Sequence, residues 1–142
     1  MPNENTFMYA VEHGLDINDV RRLWEASGFL EYNPDFDWDS LPDLLANSNL
    51  ILVARHNGDM VGMTRCVTDF ALFCGLVDLM VEREYQRQGI GRELVRRTRA
   101  AAGKNVWLTA LASDAISPFY EFTGWTKVEN GWSAWVLMPP EK

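Results

Sequence analysis

Along the chain the apolar residues keep one of two rhythms, every second position or every third and fourth, and the switches between them mark out the elements. Phe7 to Glu12 alternates and reads as a first strand. Asp16 to Ser27 places Val20, Leu23 and Trp24 at helical spacing behind an acidic start. Ser40 to Asn47 reads as a second helix, with Pro42 in its first turn, where a missing N–H costs nothing. NLILVARHNGDMVGMTRCVTD then carries two β-branched runs on either side of Asn57-Gly58, a strong hairpin signal. Phe73 to Val81 continues as a buried strand. Ile90 to Gly103 returns to helical spacing, with Ile90, Leu94, Thr98 and Ala101 on one face and Arg92, Arg96 and Arg99 on the opposite one. Val106 to Ala112 predicts a strand, Ala115 to Thr123 a short helix, and Thr126 to Met138 a closing pair of strands turned at Asn130-Gly131. The order is βααβββαβαββ. Its strand–helix–strand passage through residues 90–103 implies a right-handed parallel crossover inside a mixed sheet.

One stretch resists this patterning. YQRQGIGREL sets Gly89 and Gly91 in the first turn of the helix that follows LVDLMV, although glycine inside a helix costs about 1 kcal/mol relative to alanine. Backbone N–H groups at a strand-to-helix turn have no intrahelical partner, and the helix dipole adds partial positive charge, so an anion can be held there. Gln86, Arg87, Gln88, Gly89, Ile90 and Gly91 would wrap a phosphate, with Arg87 and Arg92 adding charge-assisted contacts. The alternative is a tight turn whose glycines serve helix-on-strand packing, and the motif alone does not choose. It is neither GxxxxGK[ST] nor GxGxxG, which disfavours P-loop hydrolysis and dinucleotide binding.

Composition narrows the classes. With 142 residues, 47% of them hydrophobic, the chain fits one globular domain over residues 1–142. A net charge of -7 argues against a general nucleic-acid binder, which needs a dominant basic surface. Cys66 and Cys74 form no CxxC pair and have no histidine nearby, so no metal is expected and both read as reduced core thiols facing each other across a hairpin centred on Phe70. His13 and His56 fall at a strand end and on the hairpin, with no catalytic partner in sequence. No apolar run approaches the roughly 18 residues of a membrane span, and MPNENTFMYA has no basic n-region or apolar h-region. A cytoplasmic protein without membrane partners is the default reading.

A second cluster, ASDAISPFYEFTGW, places Tyr120 on a short helix after the next strand, where adjacent parallel strands bring it towards the same crevice. VEREYQRQGIGREL followed by SDAISPFYEFTGW resembles the acetyl-CoA-binding core of the GNAT superfamily of N-acyltransferases. The inferred element order matches that fold over essentially the whole chain. The resemblance implies an α/β fold, a mixed, mostly antiparallel sheet with a central parallel strand pair and flanking helices. It also implies that the loop from Gln86 to Gly91, with Arg92, holds the coenzyme A pyrophosphate. Backbone of Leu79, Met80 and Val81 would pair with the pantetheine, and Tyr120 would hydrogen-bond the departing sulfur. The alternative for Tyr120 is a core aromatic beside Phe119 and Phe122.

The same resemblance leaves the base open. Thr109 stands where some members carry a glutamate, and Asp114 replaces an asparagine whose pantetheine contact is common in the family. Asp78 stands where some small-amine acetyltransferases carry an acid and would take the ammonium proton through water, against a structural or substrate-orienting role. On the acceptor side, EYNPDFDWDSLPD holds five acids and no base. Glu31, Tyr32, Asp35, Phe36 and Trp38 would attract a cationic amine and stack on its apolar part, against a reading as a solvated loop with aromatic anchors. The expected activity is acetyl transfer from acetyl-CoA to a primary amine on a small cationic molecule. Protein lysine or N-terminal acetylation, or an acyl-CoA-binding sensor without turnover, are the alternatives. Trp132, Trp135 and Val136 are candidates for a homodimer contact.

Overall fold

The structure, a computed structural model, describes residues 6–112 and 114–132. They fall into two compact units, one through Leu111 and a smaller one from Ala112. The larger contains strands β1 (Phe7–Val11), β2 (Leu50–His56), β3 (Asp59–Thr68), β4 (Phe73–Val81) and β5 (Trp107–Ala110). They lie in the order β1-β2-β3-β4-β5. The first three pairings are antiparallel and β4–β5 is parallel. The mixed sheet expected from the patterning is therefore present. Asn57 and Gly58 take φ of 50° and 87°, the left-handed pair that a two-residue hairpin turn requires.

Helix α1 (Ile17–Ala26) begins where Asp16 accepts a hydrogen bond from the Asn18 N–H at 2.7 Å, the N-cap that the acidic start foretold. Two elements went unforeseen, the four-residue α2 (Phe29–Tyr32) and a 3-10 turn at Trp38–Ser40, before α3 (Leu41–Ala46). Both are too short to leave a periodic signal. Val20, Leu23 and Trp24 of α1 and Leu41 of α3 close a core with Ile51, Val53, Met60, Met63 and Met80 on one face of the sheet.

The opposite face carries α4 (Ile90–Ala102). Ile90, Leu94 and Thr98 are buried as the spacing predicts, but Val95 and Ala102 complete the stripe and Ala101 is only half-buried. The helix sits close because Gly62 lies beneath it. A β-carbon there would come within 3.0 Å of Leu94 Cδ1 and 3.2 Å of the Met80 carbonyl oxygen, both inside normal contact.

In the smaller unit α5 (Ser117–Phe122) lies within the expected helix. Of the expected closing strands, residues 126–132 form none, and the remainder, with Trp135 and Val136, lies outside the described residues. Trp132 is exposed. Among the described residues no helix is long and apolar enough to cross a membrane.

Candidate functional site

The central feature of the larger unit is a strand that loses one neighbour. β4 and β5 pair from Phe73–Trp107 to Leu76–Ala110 and no further, whereas β4 stays paired with β3 as far as Val81. Along Val77–Val81 the backbone groups pointing away from β3 therefore lack a strand partner among the described residues. Such an edge accepts an extended ligand by main-chain hydrogen bonds. The opening coincides with a bulge. Asp78 faces Arg65 while Leu76 faces Cys66, so Val77 is the extra residue, and bulges of this kind re-aim the side chains that follow. Leu79 and Val81 are half-buried and the Met80 side chain belongs to the core, so backbone is what this stretch offers.

The chain then turns through a 3-10 segment (Arg83–Tyr85) into the glycine loop. Gln86 is a brace: its Nε2 donates to the Val81 carbonyl at 2.9 Å. Arg87 has φ of 64° and Gly89, the N-cap of α4, φ of 85°. Residues 86–89 are exposed, and the helix opens with a hydrogen bond from Glu93 N–H to the Gly89 carbonyl at 3.0 Å. The amides before it point forward without helical acceptors. A β-carbon on Gly89 would meet nothing within 4 Å. Packing therefore does not keep that position bare; the packing glycine of this helix is Gly62. What remains at Gly89 is its left-handed backbone and the open space in front, the form of an anion-binding nest.

The basic residues of α4 divide by role. Arg96 and Arg97 bind Glu93 at 2.7 and 2.8 Å, and those hydrogen bonds hold the Glu93 carboxyl down to about 2. Arg99 does not project freely, as its helical face suggested; it folds over the helix end to the carbonyls of Val106 and, at 3.1 Å, Lys104. Arg87 and Arg92 are exposed and join no ion pair among the described residues. They are the cations that remain for a polyanion, with the Ile90 side chain buried beneath the turn.

Asp78 lies on the face of α1 and α3, paired directly with Arg65. Arg65 Nε meets Asp78 Oδ2 at 2.5 Å, with both side chains at most 10% exposed. Burial pushes the carboxyl up from its ordinary value, against the pull of Arg65. A carboxylate with raised proton affinity is a better base than a solvated one. On the other face Cys66 and Cys74 are free and fully buried. Burial first, then the neighbouring Cys74 thiol, raises the Cys66 thiol and keeps it protonated.

The acidic segment separates into three parts. Glu31 forms a surface ion pair with Arg83. Phe36 and Trp38 are anchors, in a chain of rings from Trp24 to Phe36 at 5.6 Å and from Phe36 to Trp38 at 5.2 Å; Arg21 covers Trp38 at 4.5 Å. Asp37 caps the 3-10 turn through the Asp39 N–H at 3.0 Å. Tyr32, Asp35 and Asp39 remain exposed. His13 lies in a shallow surface cleft with Glu12 and Pro42, and His56 stacks near Phe7 and Tyr85 at 5.2 and 5.5 Å. Neither meets a nucleophile.

In the smaller unit Tyr120 is half-buried, edge-on to Phe119 at 5.3 Å and to Trp125 at 5.0 Å. Phe122 is 83% exposed and is not its packing partner. Asp114 is exposed. Sequence reasoning passed over Arg65 and Gly62, though each broke its local pattern: an arginine within the apolar run MTRCV, and a glycine within a strand.

The family profile described as "Acetyltransferase (GNAT) domain" matches residues 47–127. The chain is 33% identical over 86 residues to the chloroplastic GCN5-related N-acetyltransferase 3 of Arabidopsis thaliana. That alignment takes in 59% of the chain and 35% of the relative, so the chain spans about a third of the relative's length. Among solved structures, a GNAT family acetyltransferase from Streptococcus pneumoniae superposes with a TM-score of 0.68 at 23% identity, over 91% of this chain and 98% of that one. The aminoglycoside N-acetyltransferase AAC(6')-Iy, solved in complex with CoA, superposes with a TM-score of 0.70 at 12% identity, over 94% and 97%.

Proposed function

The chain belongs to the GNAT acetyltransferase family, and on that premise we propose that it is an N-acetyltransferase using acetyl-CoA as acyl donor and a primary amine on a small cationic molecule as acceptor. The observation that carries this reading is the combination on β4: an edge opened after Leu76, leading directly into a turn with left-handed Arg87 and Gly89. An extended thiol arm and a pyrophosphate need those two features in that order. The family match crosses from one compact unit into the other, which supports reading residues 1–142 as one acetyltransferase domain.

Bound acetyl-CoA would supply the thioester. Amides of Gln88 to Gly91, with Arg87 and Arg92, hold the pyrophosphate, and backbone of Leu79 to Val81 orients the pantetheine. A strand N–H near Val81 meets the oxyanion that develops on the carbonyl oxygen, where such donors act most strongly. Asp78 takes the proton of the acceptor ammonium, and the amine lone pair forms the C–N bond as the C–S bond breaks. The resemblance of the second motif implies a hydrogen bond from Tyr120 to the departing sulfur, and Asp114 stands where the family's asparagine would meet the pantetheine. Holding amine and thioester in register supplies much of the acceleration.

An aminoglycoside acceptor in one structural relative and the exposed acids Asp35 and Asp39 favour a cationic small molecule over a protein. The test is thiol release from acetyl-CoA across a panel of polyamines, aminoglycosides, lysine peptides and neutral amines, with calorimetry of CoA binding alongside. Turnover with small cationic amines is expected. CoA binding without turnover on any amine would make the chain a sensor, and preference for peptides would move the acceptor to protein.

A further inference from the structure

The bulge at Val77 has a second consequence, on the buried side of β4. Cys74 and Leu76 pair with Thr68 and Cys66, on the face that α4 covers. Two residues on, regular alternation would keep Asp78 on that face. The extra residue turns it to the other, opposite Arg65. There Arg65 Nε grips Asp78 Oδ2 at 2.5 Å. Arg65 is itself tethered, its Nη1 donating to Ser48 Oγ at 3.0 Å, and Ser48 Oγ donates in turn to the Leu44 carbonyl of α3 at 2.5 Å. A polar line thus runs from the end of α3 through β3 to β4, whose edge opens after Leu76.

Among the described residues Arg65 is the charged group that acts on Asp78. The arginines of α1 are committed elsewhere, Arg21 to Glu25 and Arg22 to Glu82. Cys66 of β3 is a buried neutral thiol, and the basic residues of α4 lie on the far side of the sheet with Glu93. A carboxylate this deep without a partner would take up a proton and lose its negative charge. A buried pair is a poor source of stability, so its retention at this place asks for another reason.

We propose that Arg65 is a positioning residue for acyl transfer, fixing the Asp78 carboxylate beside the Val77 bulge so that Asp78 receives the proton from the acceptor amine. The inference rests on the reading of β4 as the acyl-transfer strand. Arg65 touches no substrate: its guanidinium occupies Oδ2, and the proton goes to Oδ1. One N–H bond breaks and one O–H bond forms on Asp78. The freed lone pair makes the C–N bond and the C–S electrons leave on sulfur; a second N–H bond then breaks on the acylated nitrogen and its proton passes to the thiolate, while Asp78 returns the first proton to solvent. The raised proton affinity that burial gives Asp78 suits this task, and the Arg65 charge and hydrogen bond oppose that rise.

The experiment compares wild type, Arg65→Met, Arg65→Lys, Asp78→Asn and the Arg65→Met/Asp78→Asn pair by kcat and KM as functions of pH, with CoA affinity from calorimetry. In Arg65→Met, CoA affinity and the KM for acetyl-CoA should hold, kcat should fall at least tenfold, and the acid limb of kcat should move to higher pH. Arg65→Lys should recover part of both effects. In the Asp78→Asn background, Arg65→Met should cost nothing further, because the group it positions is gone. An unmoved pH profile, or losses that multiply in the pair, would overturn the inference and leave Arg65 a structural residue. Should Arg65→Met not fold, the Asp78 carboxyl titration followed by carbon NMR in Arg65→Lys decides: a midpoint identical to wild type overturns it. A wild type inactive on every amine would overturn the functional reading as well, whereas an active wild type with an insensitive Arg65 overturns this inference alone.

Discussion

Thr64 on β3 and Thr98 on α4 meet hydroxyl to hydroxyl at 2.7 Å, both fully buried. Thr98 also donates to the Leu94 carbonyl at 2.8 Å. A hydroxyl has one hydrogen, so Thr98 gives its own to Leu94 and accepts that of Thr64. Thr98→Val then strands a buried O–H donor on Thr64 and should cost about 1–3 kcal/mol. Thr64→Val/Thr98→Val removes both partners and should recover most of that loss. Denaturant unfolding of the three proteins reads the pattern; a double variant less stable than Thr98→Val would contradict the donor assignment.

Gly62 is the second fixed point under α4. The 3.0 Å approach to Leu94 and 3.2 Å to the Met80 carbonyl mean that Gly62→Val must push the helix entrance off the sheet. Overpacking of this kind costs about 1–3 kcal/mol. The melting temperature should fall and CoA affinity should fall with it. A variant as stable as wild type would show that the helix has room to move.

At Gly89 the expected balance is different. Gly89→Val meets no neighbour within 4 Å but must hold φ near 85°, a strain on the order of 1–3 kcal/mol. Its side chain would stand in front of the loop. CoA affinity should drop at least tenfold by calorimetry, more than the stability loss explains, and full retention of affinity would remove the loop from the cofactor site.

Tyr120→Phe deletes one hydroxyl from a ring held edge-on by Phe119 and Trp125. Those ring contacts survive, and CoA affinity should change little. Loss of a hydrogen bond to the leaving sulfur should lower kcat about 10- to 100-fold. Equal kcat in the two proteins would return Tyr120 to a packing role.

Acceptor choice can be tested where the acids are free. Asp37 caps a turn and Glu31 is paired, so Asp35→Asn/Asp39→Asn isolates the exposed charges. For cationic amines kcat/KM should fall several-fold at low salt and less at high salt, since charges beyond a Debye length of about 8 Å are screened. Neutral amines should be unaffected. Equal kinetics throughout would remove Asp35 and Asp39 from acceptor choice.

What the sequence determined by itself is everything local in origin. Alternation set β1, β-branched and apolar runs set β2 to β4, the 3.6-residue spacing set α1 and α4, and Asn57-Gly58 set the hairpin, because backbone sterics and burial pattern act within a few residues. The glycine loop stood out for the same reason, as bare backbone at a helix entrance, although the motif alone did not choose between an anion site and a tight turn. Tertiary structure decided which side chains are spent. Glu31 and Asp37 look like acceptor ligands in the chain, yet one is bound by Arg83 and the other by its own turn. Arg99 looks solvent-facing and closes a helix end. Arg65 looks like a misplaced charge in a core strand and meets Asp78 because the strand pairing holds one residue too many at Val77. The pairings of Arg99, Arg65 and Glu31 join residues 5 to 52 positions apart, fixed by sheet register and helix seating. No periodicity encodes a register shift of one residue, and that shift puts the carboxylate beside its arginine.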